Sequence, residues 1–163
     1  MAFETYIEIQ DVKGESTDEK HKGWIEVMSF SHGIAQQSSG AISSHGARTA
    51  GKCDHHDFTV TKRLDKSSPY LYKHGCNGKH FPKVVVEICR NTGAKEVFMK
   101  YTFEHVVVTS AQIGGGFGQE NPVETVSFGY GKIKWEFFQF DPKTGAKGAV
   151  VPAEWDTLTN KGA

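Results

Sequence analysis

Pro82-Lys83-Val84-Val85-Val86-Glu87-Ile88-Cys89-Arg90-Asn91-Thr92-Gly93 is the stretch that decides the fold. Val84, Val86 and Ile88 alternate along residues 83–90, the period of a strand with one buried face. Asn91-Thr92-Gly93 is turn chemistry, with a glycine free to take positive φ. Beyond it, over residues 96–103, Val97, Met99, Tyr101 and Phe103 again share one face. Alternating runs on either side of a turn read as a β-hairpin. Val85 adds an apolar side chain on the opposite face, and Val106-Val107-Val108 and Phe137-Phe138 are two-sided in the same way. A sheet with one wet face alternates apolar in and polar out. Two-sided strands therefore require a second cover: a helix, another sheet or another subunit.

Working outward towards the C-terminus, residues 104–112 continue as strand. Gly114-Gly115-Gly116-Phe117-Gly118 is a flexible loop that lacks the Gly-Lys-Ser/Thr ending of a phosphate loop. Residues 124–130 and 132–140 are the last long strands, with Gly131 marking a bend or bulge. The tail over residues 141–163 reads as turn-rich, anchored by Trp155.

Towards the N-terminus, residues 6–11 alternate with Ile7 and Ile9 inward. Residues 24–33 also alternate, but the phase slips: Ile25 and Val27 share one face, then Met28 and Phe30 carry the apolar side. A β-bulge, or burial of different faces along one strand, produces such a slip. Residues 58–64 form another strand, with Phe58 and Val60 inward and Thr59 and Thr61 outward. The one good helix signal lies in Asp65-Lys66-Ser67-Ser68-Pro69-Tyr70-Leu71-Tyr72-Lys73-His74-Gly75. A serine caps it, Pro69 takes the first helical position, Leu71 faces the core and Gly75 stops it, giving a helix over about residues 68–74. Residues 35–54, rich in Gly, Ser, Ala and His, fit neither strand nor helix. A long structureless loop in a compact domain is usually functional, here an arm reaching a neighbour. The fold class is mainly β: a compact barrel or sandwich of antiparallel strands with one short helix.

The length of 163 residues suits one domain, residues 1–163. Lys and Arg total 19 and Asp and Glu total 19, so there is no basic excess to neutralise phosphates and no polybasic membrane patch. The N-terminus shows no secretory signal pattern, and no stretch approaches the roughly 20 apolar residues of a membrane span. Cys53, Cys76 and Cys89 are odd in number and form no C-x-x-C, which fits reduced thiols in a cytoplasmic protein. Cys53-Asp54-His55-His56-Asp57 and the segment from His74 to His80 hold metal-capable side chains without zinc-site spacing. On a strand, adjacent His55 and His56 point to opposite faces. No G-x-S-x-G elbow is present, and no metal, cofactor or catalytic residue is assigned.

Several short segments stand in order along the chain: Asp11-Val12-Lys13-Gly14-Glu15-Ser16, Lys20-His21-Lys22-Gly23-Trp24-Ile25, Phe30-Ser31-His32-Gly33, Leu64-Asp65-Lys66-Ser67-Ser68-Pro69 and Gly78-Lys79-His80-Phe81-Pro82. Together they resemble the Hcp family, the haemolysin-coregulated tube proteins of the bacterial type VI secretion system. The resemblance implies a ring-forming β-barrel fold that closes into a homo-hexamer. Stacked rings would form a tube with a spike-tip protein and a contractile sheath as partners. Effector proteins would ride in the lumen, and the chain would leave the cytoplasm through the machine without a signal peptide. His32 departs from the family, which often has Trp there. Some members carry a fused toxin domain, for which no room is left after Ala163.

A head-to-tail interface closes into a ring when its rotation permits. A lumen wall stays wet, and Ser29 and Ser31 alternate on one face of their strand as such a wall requires. Ring stacking or subunit contact falls to exposed turns: Asn91, Thr92 and Gly93, and the arm at Gly40, His45 and Gly51. A glycan- or small-ligand-binding β-module and a small hydrolase with a His/Asp/Glu site are the alternatives; a ring separates the first reading from both.

Overall fold

A computed structural model describes residues 2–39 and 49–163. The strands in chain order are β1 (Phe3–Ile9), β2 (Ile25–Val27), β3 (Ser29–Ser31), β4 (Ile34–Ala35), β5 (Ser38–Ser39), β6 (Thr49–Ala50), β7 (Asp54–His55) and β8 (Phe58–Arg63). Helix α1 (Ser68–Asn77) follows, then β9 (Phe81–Asn91), β10 (Lys95–Gly114), β11 (Val123–Gly129), β12 (Lys132–Phe140), β13 (Lys147–Asp156) and β14 (Lys161–Gly162).

The expected hairpin is β9–β10, paired antiparallel with Val84 opposite Phe103, Val86 opposite Tyr101 and Ile88 opposite Met99. Strand β10 is 20 residues long and serves two layers. Its first half lies between β9 and β12, and its second half pairs with β11. The turning point is His105, whose φ is 54°, beside Gly131, whose amide donates to Glu104 O at 3.0 Å. The phase slip over residues 24–33 has the same origin. Strand β2 pairs with β1, whereas β3 pairs with β8, and the chain changes layer at Met28. The apolar side of the strand must swap there, because the core lies on its other side.

One layer therefore runs β2-β1-β9-β10-β12-β13-β14 and the other β3-β8-β11-β10, without closing into a full barrel. Their inner faces meet in one core cluster that includes Ile7, Val86, Phe103 and Ile133 from the first layer and Phe58, Val60, Val126 and Phe128 from the second. Leu71 of α1 joins this cluster, as its position in the sequence implies.

Several expectations need correction. The helix does not stop at Gly75. It continues to Asn77 and ends at Gly78, which takes the left-handed conformation at φ 66° and donates its amide to His74 O. Gly75 is instead helical beside Val108; a Cβ built there would lie 3.5 Å from Val108 Cγ1. Ser67 sits at the N-cap without a side-chain cap bond. Its hydroxyl donates to Asp65 instead.

Residues 35–54 are not strandless, because β4 pairs with β7 and β5 with β6 to give the arm a ribbon base. Apart from Ile34 these residues are small or polar and carry no alternation signal; the strands are seen in the backbone pairing. The tail likewise contains a long strand: β13 pairs along β12, with Pro152 opposite Glu136. Proline is tolerated because β14 reaches only Trp155 and Asp156, so the other edge at Pro152 is open. Trp155 packs against the core as expected.

Candidate functional site

The outward face of the β3–β8–β11–β10 layer is lined with hydroxyls. Register places Ser31, Thr59, Ser127 and Ser110 in one row and Ser29, Thr61, Thr125 and Gln112 in the next. No residue in these rows is charged. Ser29 and Ser31 are exposed, and Thr59 Oγ1 lies 2.9 Å from Ser127 Oγ. The rows arise from strict alternation: Phe58, Val60, Val126 and Phe128 take the inward positions, leaving the hydroxyls outside. The sequence picks out Ser29 and Ser31 and the outward Thr59 and Thr61. Bringing Ser110, Gln112, Thr125 and Ser127 onto the same face requires the pairing register, which only the structure supplies.

Beneath this face lies a buried ion pair. Lys62 is 1% exposed and Glu124 is 0% exposed, and their side chains are in direct contact. Lys62 Nζ also donates to Asp65 Oδ1 at 3.0 Å and Ser68 Oγ at 3.2 Å, and Ser68 Oγ donates to Glu124 Oε1 at 2.5 Å. The Asp-Lys-Ser-Ser-Pro segment is thus a fastening between the start of α1 and the underside of the hydroxyl face. A charge pair in a low-dielectric interior is tolerable only when its hydrogen bonds are largely met.

The first layer has a second fastening. His21 is buried with Nδ1 2.8 Å from Asp18 Oδ2 and Nε2 2.8 Å from Glu87 Oε2. Its ring stacks on Tyr6 at 4.3 Å. Lys95 donates to Asp18 Oδ1 at 2.6 Å and Tyr6 Oη at 2.7 Å. The Lys95 hydrogen bond, aided by His21, lowers the Asp18 carboxyl to about 2, while burial raises the Cys89 thiol to about 12. His21, Glu87 and Cys89 are the metal-capable trio among the described residues. Both His21 nitrogens already face carboxylates, so the geometry is that of a hydrogen-bond network joining the residue 18–24 loop to β9. Gly14 lets this loop approach: a Cβ there would stand 2.3 Å from Trp24 O.

A third cluster surrounds Tyr130. His32 Nε2 lies 2.6 Å and His55 Nδ1 3.3 Å from its hydroxyl. Strand alternation predicts opposite faces for His55 and His56, but no local pattern brings His32 to Tyr130, nearly a hundred residues away.

Asn91, Thr92 and Gly93 form the exposed tip of the β9–β10 hairpin, with Gly93 at φ 102°. Gly51 is exposed at the arm's ribbon base, its amide donating to Gln37 O at 3.1 Å. Gly40 and His45 lie outside the described residues.

One end of the first layer is left uncovered. Thr5, Ile88, Met99, Phe137 and Val151 form a row by register. Thr5 and Ile88 are buried, but Phe137 is 45% exposed and Val151 50% exposed. The two-sided Phe137-Phe138 pattern calls for a cover, and within one chain Phe137 has only a partial one.

The family model for the type VI secretion system effector Hcp matches residues 6–137. The chain belongs to the Hcp family. Protein hcp1 of Pseudomonas aeruginosa is 34% identical over 162 residues, covering 98% of each chain. A solved structure of a type six secretion system protein superposes with a TM-score of 0.93 at 38% identity, covering 99% of this chain and all of its own. Hcp1 from Salmonella typhimurium has a TM-score of 0.81 at 27% identity over the full length of both chains. The family assignment makes this a type VI secretion tube protein, a structural and secreted component, and the mainly β antiparallel fold agrees with the Hcp structures. No helix among the described residues is long and apolar enough to cross a membrane.

Proposed function

We propose that residues 1–163 act as one tube domain, working by assembly and without catalysis. Copies close head to tail into a homo-hexameric ring whose lumen is lined by the hydroxyl rows around Ser29 and Ser31. The single observation that carries this is the pair of uncharged hydroxyl rows, flanked by Asp57 and Arg63 and backed by an apolar layer. Such a wall offers many weak donors and acceptors, which repeat around a ring and add up for a cargo touching several copies.

The uncovered Met99–Phe137–Val151 row supports the subunit interface, because an exposed apolar strip gains most from a partner. Rings stack through exposed hairpin tips, with Asn91-Thr92-Gly93 and the arm at Gly40, His45 and Gly51 as the contacts. The spike-tip protein, the contractile sheath and lumen-held effector proteins are the partners, and the chain is secreted from the cytoplasm through that machine.

Ser31→Gln tests the lumen assignment. It extends a bulkier side chain from an exposed position and so leaves the core untouched. Effector co-purification should fall while the ring's mass stays the same. Retention at the unsubstituted level, with intact rings, would remove Ser31 from the cargo wall.

A further inference from the structure

His32 is half-buried where β3 leads towards the arm, and His55 lies in β7 directly opposite Ile34 of β4. The base of the arm is thus flanked by two imidazoles that meet at one phenol, 2.6 Å and 3.3 Å from Tyr130 Oη. A tyrosine hydroxyl has one hydrogen to donate and can accept as well. The hydroxyl serves both neutral rings when one accepts from it and the other donates to it, while His55 Nε2 is left buried without a partner. His56 completes the base by donating its amide to Gly33 O at 3.0 Å.

The surroundings suit neutral rings. Phe58, Tyr101, Phe103 and Tyr130 stand around His32, from 5.7 Å for Tyr130 to 6.4 Å for Phe103 between ring centroids. Burial holds His32 below the ordinary histidine range, and positive charge on His55 or His56 lowers it further. Burial lowers His55 too, with Asp54 opposing. Burial raises the Tyr130 phenol, with Asp57 and Cys53 adding to the rise. Among the described residues, Asp54, Cys53, His56 and Asp57 on the arm's return side, with Tyr101 and Tyr130 on the sheet side, are the titratable groups that face the pair.

We propose that His32, Tyr130 and His55 form a proton-sensitive latch that holds the base of the arm against the sheet at neutral pH and releases it in acid. The sign follows from linkage. An opened base exposes both rings, which then titrate near the ordinary value of 6.5. Above that pH both states are neutral and closure carries no proton penalty. As pH falls below it, the open base takes up protons that the closed base resists, so closure weakens until the closed form's own lower value is passed. The latch is independent of the tube reading. If the arm also makes the proposed contact between copies, acid would loosen stacked rings before it unfolds them.

Hydrogen exchange of the purified full chain tests this, with rates corrected for the intrinsic effect of pH. Between about pH 7.5 and about pH 5, protection at β4 and β7 should fall on the order of 10-fold, because the open base takes up protons that the closed base resists. Protection of the β9–β10 hairpin should stay level. His32→Phe combined with His55→Gln should abolish the pH response of the arm base. Equal arm protection at both pH values, or an undiminished loss in the double variant, would overturn the latch. If that variant cannot hold its arm at neutral pH, His55→Gln alone keeps an amide beside Tyr130 and should still shrink the response; an unchanged response overturns it. Arm protection is scored whatever the ring mass, so failure of the tube reading would be seen separately by light scattering.

Discussion

Ile133 and Phe137 sit on the same strand and the same face of β12, yet Ile133 is 0% exposed and Phe137 is 45% exposed. Ile133 lies in the row Ile9-Val84-Phe103-Ile133-Trp155, which the second layer covers. Phe137 lies in the row that runs from Thr5 to Val151, and its β12–β13 end projects past that cover. Chemistry and local geometry are alike at the two positions; what differs is how far the opposing layer reaches. Burial of the first row stabilises the chain itself. Apolar surface in the second is left for something outside the chain, and a neighbouring copy in an Hcp ring is the occupant proposed here.

The largest expected effect belongs to the buried ion pair in the covering layer, beneath the hydroxyl face. Lys62→Met leaves Glu124 buried without its partner and should cost about 3–5 kcal/mol in denaturant unfolding. Replacing both by apolar residues of similar size should recover most of that loss; no recovery would mean the pair does more than satisfy itself. Ile133→Ala, at the covered end of β12, should cost about 2–5 kcal/mol through lost burial and a cavity.

Phe137→Ala sharpens the contrast. In the dissociated chain it should cost less than about 1 kcal/mol, as for a surface substitution. In the assembly it should lower ring yield, and Phe137→Asp should leave a folded monomer. Equal destabilisation of the isolated chain by Ile133→Ala and Phe137→Ala would erase the distinction between the ends. Ser31→Gln should be smallest in stability terms, within about 0.5 kcal/mol, with its effect confined to cargo.

Much of this layout was legible in the sequence. Alternation in residues 83–90, 99–103 and 58–64 told which side chains face inward, but Val97, expected on the face of Met99, lies opposite Cys89 on the other face because a bulge at Phe98 shifts the register; the slip at Met28 announced a strand that changes layer. The short ribbon at the arm's base was not legible because its residues other than Ile34 are small or polar and leave no hydrophobic period, and β13 was not legible because Gly148 and Pro152 read as turn residues around the alternation of Val151, Ala153 and Trp155. The helix end was misplaced because two glycines compete for it, and only the packing of Gly75 on Val108 shows which one is helical. Ser29 and Ser31 were found by alternation, whereas the rest of the hydroxyl face depends on register. The Tyr130 node and the His21 network were missed, since long-range convergence of polar side chains has no local signature.

Light scattering behind a sizing column, run on the unsubstituted chain and on Phe137→Asp with circular dichroism of each peak, decides whether the exposed end of β12 is a ring contact. A hexamer is expected for the first and a folded monomer for the second. A monomer for the unsubstituted chain across a wide concentration range, or an undisturbed hexamer for Phe137→Asp, would contradict a ring contact there.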